Sequence, residues 1–91
     1  MTYFDLWDIA RNPNTLPETL AVLSTNESWM VRWRVASNPS TPIETLKILA
    51  TDADGRVRML VWGNRNTTEE ILMMVKAKNY QVRKPLLQLA Q

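Results

Sequence analysis

The stretch Ala36-Ser37-Asn38-Pro39-Ser40-Thr41-Pro42-Ile43-Glu44-Thr45-Leu46-Lys47-Ile48-Leu49 decides how this chain is read, because altered copies of it flank it on both sides. Upstream by 26 residues stands Ala10-Arg11-Asn12-Pro13-Asn14-Thr15, and downstream by 26 stands Trp62-Gly63-Asn64-Arg65-Asn66-Thr67. Glu18, Glu44 and Glu70 keep the register, as do Leu20, Leu46 and Leu72, then Leu23, Leu49 and Val75. Residues 10–35 and 36–61 agree at 12 of 26 positions, too many for unrelated segments of that length. A period of this size marks stacked repeats.

The shared positions have physical tasks. Thr15 to Glu18, Thr41 to Glu44 and Thr67 to Glu70 spell Thr-x-x-Glu, the capping box in which the hydroxyl takes the N3 amide and the carboxylate reaches back to the cap amide. This predicts helices over residues 16–24, 42–50 and 68–77. Leu20 with Leu23, Leu46 with Leu49, and Leu72 with Val75 then form a narrow apolar stripe at i,i+3 spacing. A second apolar pair follows in each copy: Val31 and Val35, Val57 and Val61 and, after one deletion, Val82 and Leu86. These pairs predict a second, shorter helix beyond polar connectors at Thr25–Ser28, Thr51–Gly55 and Lys78–Gln81. Asn12-Pro13 and Asn38-Pro39 close the unit, since a residue before proline is pushed out of the helical region.

No such unit can bury its apolar face alone, so copies must stack. The expected organisation is one all-α domain over residues 1–91: an N-terminal cap at 1–9, repeats at 10–35 and 36–61, and a degenerate third repeat with a C-terminal cap at 62–91.

Composition removes most chemistry. With no cysteine and no histidine there is no disulfide, thiolate, imidazole metal ligand or Ser-His pair, so no catalytic residue, metal or cofactor is expected and the chain reads as a non-enzyme. The absence of cysteine also suits a reducing cytoplasm. The opening Met1-Thr2-Tyr3-Phe4-Asp5-Leu6-Trp7-Asp8 carries two acids where a signal peptide needs a basic start. The longest apolar run, Ile71 to Val75, falls far short of the ~20 residues of a membrane span, so no membrane partner is expected. Charge is divided: residues 1–31 set Asp5, Asp8, Glu18 and Glu27 against Arg11, and the remainder carries a basic excess.

The pattern Ala-x-Asn-Pro-x-Thr-Pro-x-Glu-x-Leu-x-x-Leu-Ala, continuing through Asp-x-Asp-x-x-Val-Arg-x-x-Val, resembles the leucine-rich repeat variant family, which is similar in spirit to HEAT repeats. Residues 36–61 carry it best, 10–35 well and 62–86 poorly. The resemblance implies a right-handed α-solenoid in which an α-helix alternates with a 3₁₀ or short helix, here around Val31–Val35 and Val57–Val61. It implies a scaffold, and fold alone does not fix function. Some members hold an iron–sulfur cluster on cysteines; this chain has none to hold it.

Arg32, Arg58 and Arg83 share one position and should form a ladder. Such a row can grip phosphates or carboxylates; alternatively, each arginine bonds the connector of an adjoining copy, where Asp52 and Asp54 lie. Asn12, Asn38 and Asn64 read as turn formers. Trp7, Trp33 and Met59 also coincide in register, off the valine stripe, with Arg34 and Arg56 beside them. That row is either a contact surface for a protein partner or a second copy of this chain, or it is part of a thin core. Trp62 replaces Ala10 and Ala36, where small size lets coils approach, and should open or end the stack. The function expected is a non-catalytic adaptor or inhibitor binding another protein through one face. The alternative is nucleic-acid binding through Lys76, Lys78, Arg83 and Lys84.

Overall fold

Each predicted apolar stripe lies on a helix in the computed structural model, which describes residues 2–90. The order is α1 (Tyr3–Arg11), α2 (Pro17–Leu23), α3 (Trp29–Ser37), α4 (Ile43–Ala50), α5 (Gly55–Gly63) and α6 (Glu69–Leu89). There is no strand among the described residues. The second segments of the first two copies are α-helices of 9 residues, α3 and α5, rather than 3₁₀ turns. The body measures 48 × 28 × 16 Å. Helix α3 packs against both α1 and α5, and α4 packs on α5 and α6. One core runs through it: Leu20 and Leu23 of α2, Leu46 and Leu49 of α4, Ile71 and Val75 of α6, and Val31, Val35, Val57 and Val61 of α3 and α5.

Helix α1 keeps the register of α3 and α5, and asparagine binds these three together. Asn38 is buried; its Nδ2 donates to Ala10 O at 2.7 Å and Asn12 O at 2.9 Å, while its Oδ1 accepts the Ser40 amide at 2.8 Å. Asn64 repeats this on Ala36 O at 2.8 Å, Asn38 O at 3.0 Å and the Asn66 amide at 2.8 Å. One side chain thus makes the sharp turn and satisfies carbonyls at the end of the neighbouring helix, which have no partner within their own helix. The turn-former reading of these asparagines gives half of what they do.

The capping boxes expected at Thr15, Thr41 and Thr67 do not form. Helices α2, α4 and α6 start one residue later, with Leu16, Pro42 and Thr68 at the N-cap. The threonine hydroxyls turn the other way and donate to the carbonyls six residues back: Thr15 to Ile9 O and Thr41 to Val35 O, both at 2.6 Å, and Thr67 to Val61 O. A carbonyl at a buried helix end is costlier to leave short of partners than an amide that water can reach. At Thr2 a capping box does form: its hydroxyl takes the Asp5 amide at 3.3 Å while Asp5 Oδ2 accepts the Thr2 amide at 3.0 Å.

This reversal is testable. Thr41→Ala is expected to cost ~1 kcal/mol as one lost hydrogen bond. Thr41→Asp, a good replacement at an N-cap, is expected to cost distinctly more, because Thr41 is fully buried and a carboxylate cannot donate to Val35 O. Chemical denaturation of both variants reads the difference.

The third copy departs most. Residues 78–81, expected as a connector, lie inside α6, which continues unbroken for 21 residues. In the earlier copies the chain is broken by Asn26 and Asp52, whose Oδ1 atoms each accept the amide two residues on at 2.9 Å. Asn79 receives Arg58 Nε on its carboxamide oxygen at 2.7 Å, as Asp52 receives Arg32, but it lies inside the helix and one position beyond the 26-residue register. Lysine, alanine and glutamine around it favour helix, and α6 runs on through Pro85 to Leu89. Val82 and Leu86, in register with the fully buried Val57 and Val61, are therefore 52% and 69% exposed. No helix among the described residues is long and apolar enough to cross a membrane.

Candidate interaction surface

Indole rings and guanidinium groups stack in one series across α1, α3 and α5. The Arg34 guanidinium lies between two rings, 4.4 Å from the centroid of Trp7 and 4.4 Å from that of Trp33. Arg11 covers Trp7 at 5.0 Å, and Trp33 meets Trp29 edge to face with centroids 6.3 Å apart. Arg56, from α5, lies 3.4 Å over Trp29. The series thus runs Arg11, Trp7, Arg34, Trp33, Trp29, Arg56. Each cation over a ring face is worth about 0.5–2 kcal/mol, the more as water is excluded. Arg34 Nε, buried between the rings, has no hydrogen-bond partner among the described residues, so the two indole faces are what hold this charge.

Of the residues singled out from sequence, Trp7, Trp33 and Arg34 are thus brought together, and Arg56 joins them through Trp29. Trp33 is half-buried and packs against the core, so the position serves both as core and as surface. Met59 is 62% exposed and lies apart, lining a cleft with Gly55, Trp62, Val75 and Asn79. Trp29 escapes a register argument because its equivalent in the next copy is Gly55.

Arg56 is fixed by Asp54, the N-cap of α5. Asp54 Oδ1 accepts the Arg56 amide at 2.9 Å and Arg56 Nε at 3.0 Å, and Oδ2 accepts Nη2 at 2.8 Å. The hydrogen bonds from the Arg56 side chain, opposed by some burial, hold the Asp54 carboxyl down at about 2. Asp5 is also held below its ordinary range, first by the Thr2 amide and then by the Thr2 hydroxyl. Both groups bind fewer protons in the folded chain than in the unfolded one. Their contribution is complete above the ordinary aspartate value of about 3.9 and is lost as pH falls through the folded values. The melting temperature is expected to drop between about pH 4 and pH 2. Asp54→Asn, which keeps the cap, should flatten part of that slope.

The arginine ladder is structural for two of its members. Arg32 grips Asp52 with Nε at 2.7 Å and Nη2 at 3.2 Å, and reaches Asn26 O with Nη1 at 2.8 Å. Arg58 bonds Asn79 and, through Nη1 at 2.6 Å, Asp52 O. Arg83 is exposed on α6. Of the basic residues proposed for nucleic acid, Lys76 and Arg83 line a cleft of about 380 Å³ with Arg58, Trp62, Asn79 and Val82. Lys78 and Lys84 do not line it.

Among the described residues no group of three or more acidic, histidine or cysteine side chains could hold a metal ion. Compared with known proteins, the chain matches no family model, and no curated protein or solved structure matches it significantly.

Proposed function

We propose that this chain is a non-catalytic interaction module, a short right-handed α-solenoid of about three 26-residue repeats of the leucine-rich repeat variant type, which binds another protein through the face bearing Trp7, Arg34, Trp33 and Arg56. The observation that carries the reading is the Arg34 guanidinium set between Trp7 and Trp33 at 4.4 Å each. Rings stacked on a cation have little rotamer freedom left to lose on binding, and tryptophan and arginine are the residues over-represented among interface hot spots. Met59 shares the register of Trp7 and Trp33 but lies apart from them, in the cleft beside α6. The asparagine bonds recurring at a 26-residue interval support the repeat organisation. Nothing in the residue set supplies a nucleophile with its base, so we place the chain outside the enzymes.

The test is capture from source lysate with and without nuclease, using the native chain and Trp33→Ala side by side. A protein retained by the native chain, indifferent to nuclease, should bind Trp33→Ala about thirtyfold more weakly, the ~2 kcal/mol of a hot-spot aromatic. Because Trp33 packs against the core, the variant should also lose ~2 kcal/mol of stability, and affinity is compared on its folded fraction. Capture abolished by nuclease would replace this reading with nucleic-acid binding through the basic residues of α6.

A further inference from the structure

The cleft between α5 and α6 departs from the rest of the chain in a consistent way. Where α5 seats against α3 and α4, the small residues Ala36 and Ala50 are fully buried and Asp52 receives Arg32. One register further, Trp62 stands for Ala36, Lys76 stands for Ala50, and Asn79 takes the place of Asp52 as receiver of the arginine. All three replacements line one cleft, together with Arg58, Val82 and Arg83. Lys76 Nζ lies 5.5 Å from the Trp62 ring centroid.

Charge is what the replacements change. Arg32 has a carboxylate at 2.7 Å, whereas Arg58, 5% exposed, bonds a neutral carboxamide and a main-chain carbonyl. Asp52, which lends Arg58 that carbonyl, has its carboxylate engaged by Arg32. Among the described residues no ion pair involves Arg58, Lys76 or Arg83, and no acidic side chain lines the cleft. A buried guanidinium without a counter-charge is costly, and a carboxylate or phosphate arriving from outside gains most where the desolvation of its receptor is already complete. Gly55 leaves room for the guanidinium: a Cβ there would stand 3.3 Å from Arg58 Nη2.

We propose that this cleft binds a carboxylate carried on an apolar protein segment. Arg58 is the buried receptor, Lys76 and Arg83 flank the incoming charge, and Trp62, Val82 and the adjoining Met59 take the apolar neighbours of the acidic residue. The volume of about 380 Å³ suits one anionic group with its flanking side chains. A phosphate backbone would need a track of cations several nucleotides long, and Lys78 and Lys84 lie outside the lining. The proposal rests on the reading that the partner is a protein, but it uses a surface other than the Trp7 and Trp33 face.

Titration followed by NMR, on the Trp62 indole N–H and the Arg58 Nε–H of the full chain, tests it. The probes are a peptide of alternating Glu and Leu, the same peptide with Gln for Glu, and a single-stranded oligothymidylate. The Glu peptide should shift both signals saturably, and the Gln peptide and the oligonucleotide should bind at least tenfold more weakly. Lys76→Ala and Arg83→Ala, both at exposed positions, should each weaken the Glu peptide several-fold. Asn79→Asp is the decisive variant: it gives Arg58 the carboxylate that Arg32 already has. It should raise the melting temperature and weaken the Glu peptide at least tenfold. Equal binding of the Glu and Gln peptides, tighter binding of the oligonucleotide, absence of saturable shifts, or an Asn79→Asp chain that binds undiminished would each overturn the proposal. Trp33→Ala should leave these titrations unchanged while weakening capture through the indole face, so the two readings fail separately.

Discussion

Replacing Asn38 with Ala is expected to lower the free energy of unfolding by about 3 kcal/mol, against less than ~1 kcal/mol for Asn12→Ala at the same register position. The difference is one of surroundings. Asn38 is buried, and its loss strips the Ala10 carbonyl and the Ser40 amide of their partners in a place water does not reach freely. The Asn12 carbonyl suffers less, since it also accepts the Thr15 amide at 3.1 Å. Asn12 itself is exposed, and among the described residues its side chain makes only the local bond to the Asn14 amide at 2.9 Å. Urea denaturation of the two variants, compared at equal slopes, reads the gap directly. Equal losses would mean that the turn, rather than the bond between helices, is what asparagine contributes.

The second large effect concerns leucines that look alike in sequence. Leu46→Ala is expected to cost about 3 kcal/mol, since it empties the space of a fully buried side chain between packed helices. Leu86→Ala is expected to change stability by less than ~0.5 kcal/mol, because its side chain is already in solvent. Thermal or chemical denaturation of the pair decides it. A loss of ~2 kcal/mol or more at Leu86 would show that the end of α6 folds back on α5, as the valine and leucine pattern by itself predicts.

These contrasts mark where sequence reasoning was sufficient. Apolar positions repeating every 26 residues identify α2 to α6 and most of the core, because burial follows periodicity wherever a neighbour exists to receive the face; α1 was read only as a cap, and α6 buries Ile71 where the register points to Leu72. Direction is less legible. The hydroxyl of Thr41 has an amide on one side and a carbonyl on the other, and only the packing of α3 against its neighbours decides which is worth more. Asn79 was hidden for a similar reason. It receives Arg58, 21 residues away, from one position off the 26-residue register that places Asp52. At the candidate site, register brings out Trp7 and Trp33 together, whereas Trp29 enters through a contact with no counterpart elsewhere in the chain.

The bonds that the Asn38 and Asn64 side chains donate all run one way: the donor belongs to the later segment and the acceptor is always main chain of the earlier one. A main-chain carbonyl is supplied by any residue, so the earlier segment needs no matching side chain, and Ala10 and Ala36 are answerable only for their size. A gene duplication inserting one more 26-residue copy would therefore carry its own fastener and meet a ready acceptor in whatever precedes it. Lengthening such a chain asks for no coordinated change in its neighbours, whereas deleting the asparagine from one copy would loosen that joint alone.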